Sequence, residues 1–189
     1  GDDNLTTLKA NILRATLSKV FSDTRKGNLS IVSSDFEKMY KNYYASGYTA
    51  GATVVTMDGY LDPTERENTI ISGNIVNEVG NHTLLVGVEL IDTTNENFRY
   101  NTFWSTTSDD NEVFNITRPM DFSVNSAGVA TSNDYTADLK SKTKSDIDVT
   151  SFFIQDQIDV SDKLKLMIGG RHDSFDITVT DVKAGSAAA

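Results

Sequence analysis

Two groups of aromatic side chains with cations nearby are the residues best suited to chemistry in this sequence. Tyr43, Tyr44 and Tyr48 follow Tyr40 in one stretch, and Arg99, Tyr100 and Trp104 form another. Ring faces and a guanidinium together suit a planar, anionic ligand such as an iron–catecholate complex, because the rings stack on it and the cation pairs with its charge. The same tyrosines suit an aromatic girdle at a membrane interface, so both readings stay open for Tyr40, Tyr43 and Tyr44. Other chemistry finds no support. The chain has no cysteine and only two histidines, His82 and His172, which read as strand-surface residues rather than metal ligands. It holds no His-x-x-x-His, no Gly-x-Ser-x-Gly and no Gly-rich phosphate loop followed by lysine. Asp109-Asp110-Asn111-Glu112 gathers oxygens but lacks the Asp-x-Asp-x-Asp-Gly spacing of a calcium loop, so it reads as a solvated acidic loop. No enzyme, no metal site and no resident cofactor is expected.

Charge narrows the partners. The 189 residues carry 27 Asp and Glu against 17 Lys and Arg, a formal charge of −10. Phosphate binding needs a basic surface, so no nucleic acid is expected. No apolar run approaches the roughly 18 residues that a helical membrane span requires. A transmembrane barrel leaves that same trace, because every second residue of its strands is polar.

The elements that must position the aromatics read as strands near 8–21, 28–44, 66–79, 82–92, 147–160 and 163–182. Side chains alternate between faces along a strand, and the fourth shows it most cleanly: Leu84, Val86, Val88 and Leu90 oppose Thr83, Leu85, Gly87 and Glu89. In the last, Leu164, Leu166, Ile168, Gly170 and His172 oppose Lys165, Met167, Gly169, Arg171 and Asp173. The first is ambiguous, since Leu5, Leu8, Ile12, Ala15 and Lys19 also fit helical spacing. As a strand it places Leu13, Ala15, Leu17 and Phe21 on one face, with Lys19 snorkelling near its end. Gly80-Asn81 makes a two-residue hairpin turn, and Ser161-Asp162 supplies another. Residues 45–65 and 93–146 read as long loops. Short and long connections thus alternate, which is the signature of an outer-membrane barrel, although the same hairpins also build a soluble sandwich. In a barrel, Arg14, Glu78, Glu89, Arg171 and Asp173 face the lumen and serve structure, pairing with each other or with a plug.

Two passages carry a resemblance. Tyr60-Leu61-Asp62, Thr64-Glu65-Arg66-Glu67-Asn68 and the Gly80-Asn81 turn into His82-Thr83-Leu84-Leu85-Val86-Gly87-Val88-Glu89 form the first. Phe152-Phe153-Ile154-Gln155-Asp156-Gln157-Ile158-Asp159-Val160-Ser161-Asp162-Lys163, with Gly170-Arg171-His172-Asp173, forms the second. Both resemble barrel hairpins of the TonB-dependent outer-membrane receptors, siderophore-receptor branch. His172 stands where that family usually has an aromatic residue. The resemblance implies an all-β, antiparallel up-and-down meander of about six strands, a segment of a large outer-membrane barrel with long extracellular loops. It implies a ferric siderophore as transported ligand, the TonB energy-coupling complex reached through a plug domain, and contact with outer-membrane lipid. Neither a plug domain nor a coupling box is recognisable, and six strands fall short of the eight in the smallest barrels. We therefore expect an internal piece, not transport-competent alone, that self-associates through open strand edges. A passive porin-type channel and a soluble β-sandwich binding module are the rivals. The sandwich requires Leu84, Val86, Val88 and Leu90 buried against a second sheet.

Overall fold

The structure is a computed structural model and describes residues 4–101, 103–104, 111–117, 123–130, 133–134 and 139–183. Alternation of β-branched and aromatic residues with polar ones becomes strand throughout, including the ambiguous first element. In chain order the described strands are β1 Leu5–Ser22, β2 Arg25–Tyr48, β3 Val54–Val79, β4 His82–Asn101, β5 Phe103–Trp104, β6 Asn111–Asn115, β7 Asn133–Asp134, β8 Leu139–Ser161 and β9 Leu164–Asp181. One antiparallel sheet runs β1-β2-β3-β4-β8-β9, with β6 paired to β3; β5 and β7 form a separate two-stranded ladder. The pairs β1–β2, β3–β4 and β8–β9 turn at residues 23–24, 80–81 and 162–163, all at one end of the sheet. Gly80, at φ 62°, takes the left-handed conformation at the first turn position, as a type II′ hairpin requires; no other residue type does so among the described residues.

The strands run further than the alternation of apolar residues indicates. Residues 54–65, 93–101 and 139–146, expected as loop, are strand. Val54 to Asp58 pair with β6, while Val55 to Glu65 also pair with β2. These extensions carry no continuous apolar stripe: backbone pairing runs through them, and a small apolar cluster of Tyr43, Val55, Met57 and Phe114 packs on the face away from Tyr44. The β3–β4 ladder is interrupted at Asp62 and Pro63, consistent with a proline having no N–H to give.

Register fixes the faces, because antiparallel partners point the same way. Leu17, Leu29, Gly73, Val88, Phe152 and His172 make one continuous cross-strand row. The neighbouring row on the opposite face is Thr16, Ser30, Ser72, Glu89, Ser151 and Asp173. One face is thus an apolar belt and the other is wet. The wet face is not uniformly polar: Val32, Ile70, Ile91, Val149 and Phe175 form an apolar row across it, next to Arg14.

The belt has no second layer. Val86 is 38%, Val88 49% and Leu90 47% exposed. Exposure on that scale removes the soluble sandwich, whose core those residues would form. Buried apolar residues among those described are Tyr43, Val55, Met57, Phe114 and Val149.

Candidate functional site

The extensions of β2, β3 and β4 beyond the belt carry the candidate site. Alternate residues Tyr40 and Tyr44 of β2, Tyr60 and Asp62 of β3, and Arg99 of β4 share the wet face there. Tyr60 lies between two other rings, 5.8 Å from Tyr40 edge-on and 6.0 Å from Tyr44. The Arg99 guanidinium sits 4.5 Å from the centre of the Tyr60 ring. It is held there by a fork onto Asp62: Nε donates to Oδ1 at 2.8 Å, and Nη2 donates to Oδ2. That pair keeps the Arg99 proton bound above the usual arginine range, chiefly through the hydrogen bond. The Tyr44 hydroxyl donates to Asp58 Oδ2 at 2.7 Å, which holds its pKa above the ordinary phenol value. Tyr60 is pushed up too, first by burial and then by its hydrogen bond with Tyr40. Both phenols therefore stay neutral through the physiological range. The cluster offers ring faces, hydroxyl groups and one paired guanidinium. Replacing Asp58 by Asn should let Tyr44 ionise at lower pH, seen as earlier tyrosinate absorbance in an alkaline titration; an unchanged titration curve would contradict the Tyr44–Asp58 bond.

Of the residues picked out from the sequence, Tyr44 and Arg99 come together here. Tyr43 points to the other face and is buried, 5% exposed, with Val55, Met57 and Phe114. Its neighbour in sequence cannot share its direction in a strand. Tyr100 also turns away from Arg99, stacks on Phe98 at 6.3 Å and packs against the Tyr43 cluster. Tyr48 lies opposite Val55 at the end of β2 and is 60% exposed. The Trp104 side chain lies outside the described residues, as does Asp109-Asp110 of the acidic stretch; Glu112 is buried on β6. Tyr60, Asp58 and Asp62 were missed because their stretch reads as loop. Their alternation, Asp58-x-Tyr60-x-Asp62, is the signal that a strand would place them on one face.

Arg14, Glu78, Glu89, Arg171 and Asp173 all share the wet face by register. Three of them form a network: Arg171 donates to Glu89 at 2.8 Å, to Asp173 at 2.7 Å and to the Ser151 hydroxyl at 2.8 Å. Ser151 is fully buried beneath that guanidinium and also bonds Asp173. Ser151→Ala should cost about 1–2 kcal/mol of folding stability, since it removes a buried hydroxyl bonded to charged groups. Urea unfolding checks this, and an unchanged midpoint would show the network to be slack. His82 bonds Asp156 at 2.7 Å, and His172 sits in the apolar row, so the two histidines have separate structural surroundings. Among the described residues no group of three His, Cys, Asp or Glu side chains could hold a metal.

A single-layer antiparallel meander, greasy on one side and wet on the other, with tight turns at one end and long extensions at the other, is the wall of a transmembrane β-barrel. The family model of the TonB dependent receptor-like β-barrel matches residues 3–189. The chain belongs to that family, which is one of receptors. Solved structures agree on the fold. The ferric preacinetobactin receptor BauA from Acinetobacter baumannii superposes with a TM-score of 0.62 at 18% identity, covering 93% of this chain and 25% of that one. The ferric citrate transporter FecA gives 0.60 at 10% identity, covering 96% and 23%. The siderophore receptor PiuA from Acinetobacter baumannii gives 0.53 at 8%, covering 94% and 30%. The chain thus spans between about a quarter and a third of these relatives' length. No curated protein sequence matches it.

Proposed function

We propose that this chain is part of the wall of a bacterial outer-membrane receptor that binds a ferric siderophore and imports it using energy delivered by the TonB complex through a plug domain. The observation that carries this reading is the Tyr40–Tyr44–Tyr60–Arg99 cluster, which faces the lumen just above the membrane, where a descending ligand would meet it. The similar structures named as a ferric preacinetobactin receptor and a ferric citrate transporter support the same class of cargo. Ferric complexes present flat chelate rings, which ring faces and a guanidinium suit. The segment supplies one part of the lumen, so transport needs the rest of the wall as well as a plug.

Growth of iron-starved bacteria that depend on the complete receptor, given single ferric siderophores, tests this reading. At least one ferric chelate should restore growth in a TonB-dependent manner. Tyr60→Ala should weaken binding of that chelate about tenfold, because it removes the central ring and the seat of the guanidinium, while Tyr60→Phe keeps most of it. Entry of unrelated small solutes without TonB, and of no ferric chelate, would make the chain part of a passive channel instead.

A further inference from the structure

On the lipid-facing side, near the short turns, the apolar belt is not flat. Leu17, Phe21, Leu29, Ile75 and Val88 rise around a groove of about 450 Å³. Its floor is Gly27 and Gly73. Gly27 lies opposite Lys19 and Ile75, and Gly73 lies opposite Leu29 and Val88, so each glycine removes a side chain from the belt where its partners have one. The Phe21 ring partly roofs Gly27; a Cβ there would come within 2.9 Å of it. Gly73 is open, because a Cβ there would meet Leu29 Cδ1 only at 3.8 Å and Asn28 O at 3.9 Å. Asn28 and Asn74 border the groove but turn their side chains to the wet face, where they bond each other at 3.2 Å. A groove without polar partners holds no ordered water and takes hydrocarbon.

Charge along the same face is asymmetric. Lys19 stands at the short-turn edge of the groove with its Nζ 5.5 Å from the centre of the Phe21 ring, and Arg25 follows at the turn. The far edge of the belt is acidic. Asp92, Asp148 and Asp176 lie directly opposite one another across three strands. An anionic head group is attracted to the first edge and repelled from the second. We propose that the groove binds one anionic phospholipid of the leaflet on the short-turn side, with an acyl chain over Gly27 and Gly73 and its phosphate at Lys19. The inference rests on the barrel wall and its lipid-facing side, and it does not depend on which cargo the receptor carries.

Native mass spectrometry of the complete receptor, released from detergent after incubation with phosphatidylglycerol or phosphatidylcholine, tests it. The receptor should retain phosphatidylglycerol in preference to phosphatidylcholine, with a stoichiometry of one. Lys19→Gln, an exposed change that leaves the fold intact, should lower phosphatidylglycerol retention about fivefold and leave phosphatidylcholine unchanged. Gly73→Leu fills the floor and should lower retention of both. Equal retention of the two lipids would mean a general lipid shell and overturn the proposal. So would a Lys19→Gln receptor that keeps phosphatidylglycerol as the parent does.

Discussion

Replacing Val88 by Arg should destabilise the folded receptor in a bilayer by about 2–4 kcal/mol, the cost of an arginine on the lipid face of a barrel near the midplane. Val88 is half exposed and sits between Gly73 and Phe152 in the middle of the belt, with Val86 and Leu90 on either side of it along β4. Bilayer at that depth offers no water to a guanidinium, and the side chain must bend a long way to find any. The control is one residue type on the other face. Gln155 lies on the wet side, opposite Leu85 and Gly169, so Gln155→Arg puts the same charge into the lumen. It should cost less than about 1 kcal/mol, as surface substitutions generally do. Urea unfolding in liposomes measures both. Equal losses would mean that the Val88 side does not meet lipid, and with that the assignment of outside and inside would fail.

That assignment is the part of the fold most legible in the sequence. Leu84, Val86, Val88 and Leu90 against Thr83, Leu85, Gly87 and Glu89 need only a period of two to define both faces of β4. The strand ends were illegible for a physical reason. Once a strand leaves the bilayer its long apolar stripe breaks off and the alternation becomes patchy, with one short apolar cluster around Tyr43, while backbone pairing continues, as it does through Tyr60 and Asp62. Reading 45–65 as loop hid the centre of the aromatic cluster. The grouping of Tyr43 with Tyr44, by contrast, contradicts the strand assigned to 28–44, because adjacent strand residues point apart. Parity alone places one of them away from the ligand, and the structure buries Tyr43. The row of Asp92, Asp148 and Asp176 lay beyond sequence reasoning. Its β4–β8 register is set across the connection 102–138, and no local turn fixes it.

Gly87→Ala should cost about 1–3 kcal/mol, the penalty for forcing extra volume into an occupied space. The reason is a close approach and not a special backbone conformation, since Gly87 has no positive φ. It lies directly opposite Phe153 on the wet face, with the ring lying over it: a Cβ on Gly87 would come within 2.6 Å of Cε2 and 2.8 Å of Cε1, and closer still to Cζ. An aromatic side chain covering a glycine on the neighbouring strand is a known device for restoring the contacts that glycine lacks. Alanine would recover about 0.5–1 kcal/mol in strand preference, less than displacement of the ring costs. The ring has little room to retreat, because its other cross-strand neighbour is Arg171, whose guanidinium is tied to Glu89, Ser151 and Asp173. The loss should therefore couple to both neighbours. Phe153→Ala should destabilise the parent, yet on the Gly87→Ala background it should cost less, because there the loss of the ring also relieves the clash. Combining Gly87→Ala with Ser151→Ala should cost less than the sum of the two, since a displaced ring has already loosened the Arg171 network. Unfolding midpoints of the three single and two double variants decide this, and strict additivity would show that the ring does not rest on Gly87.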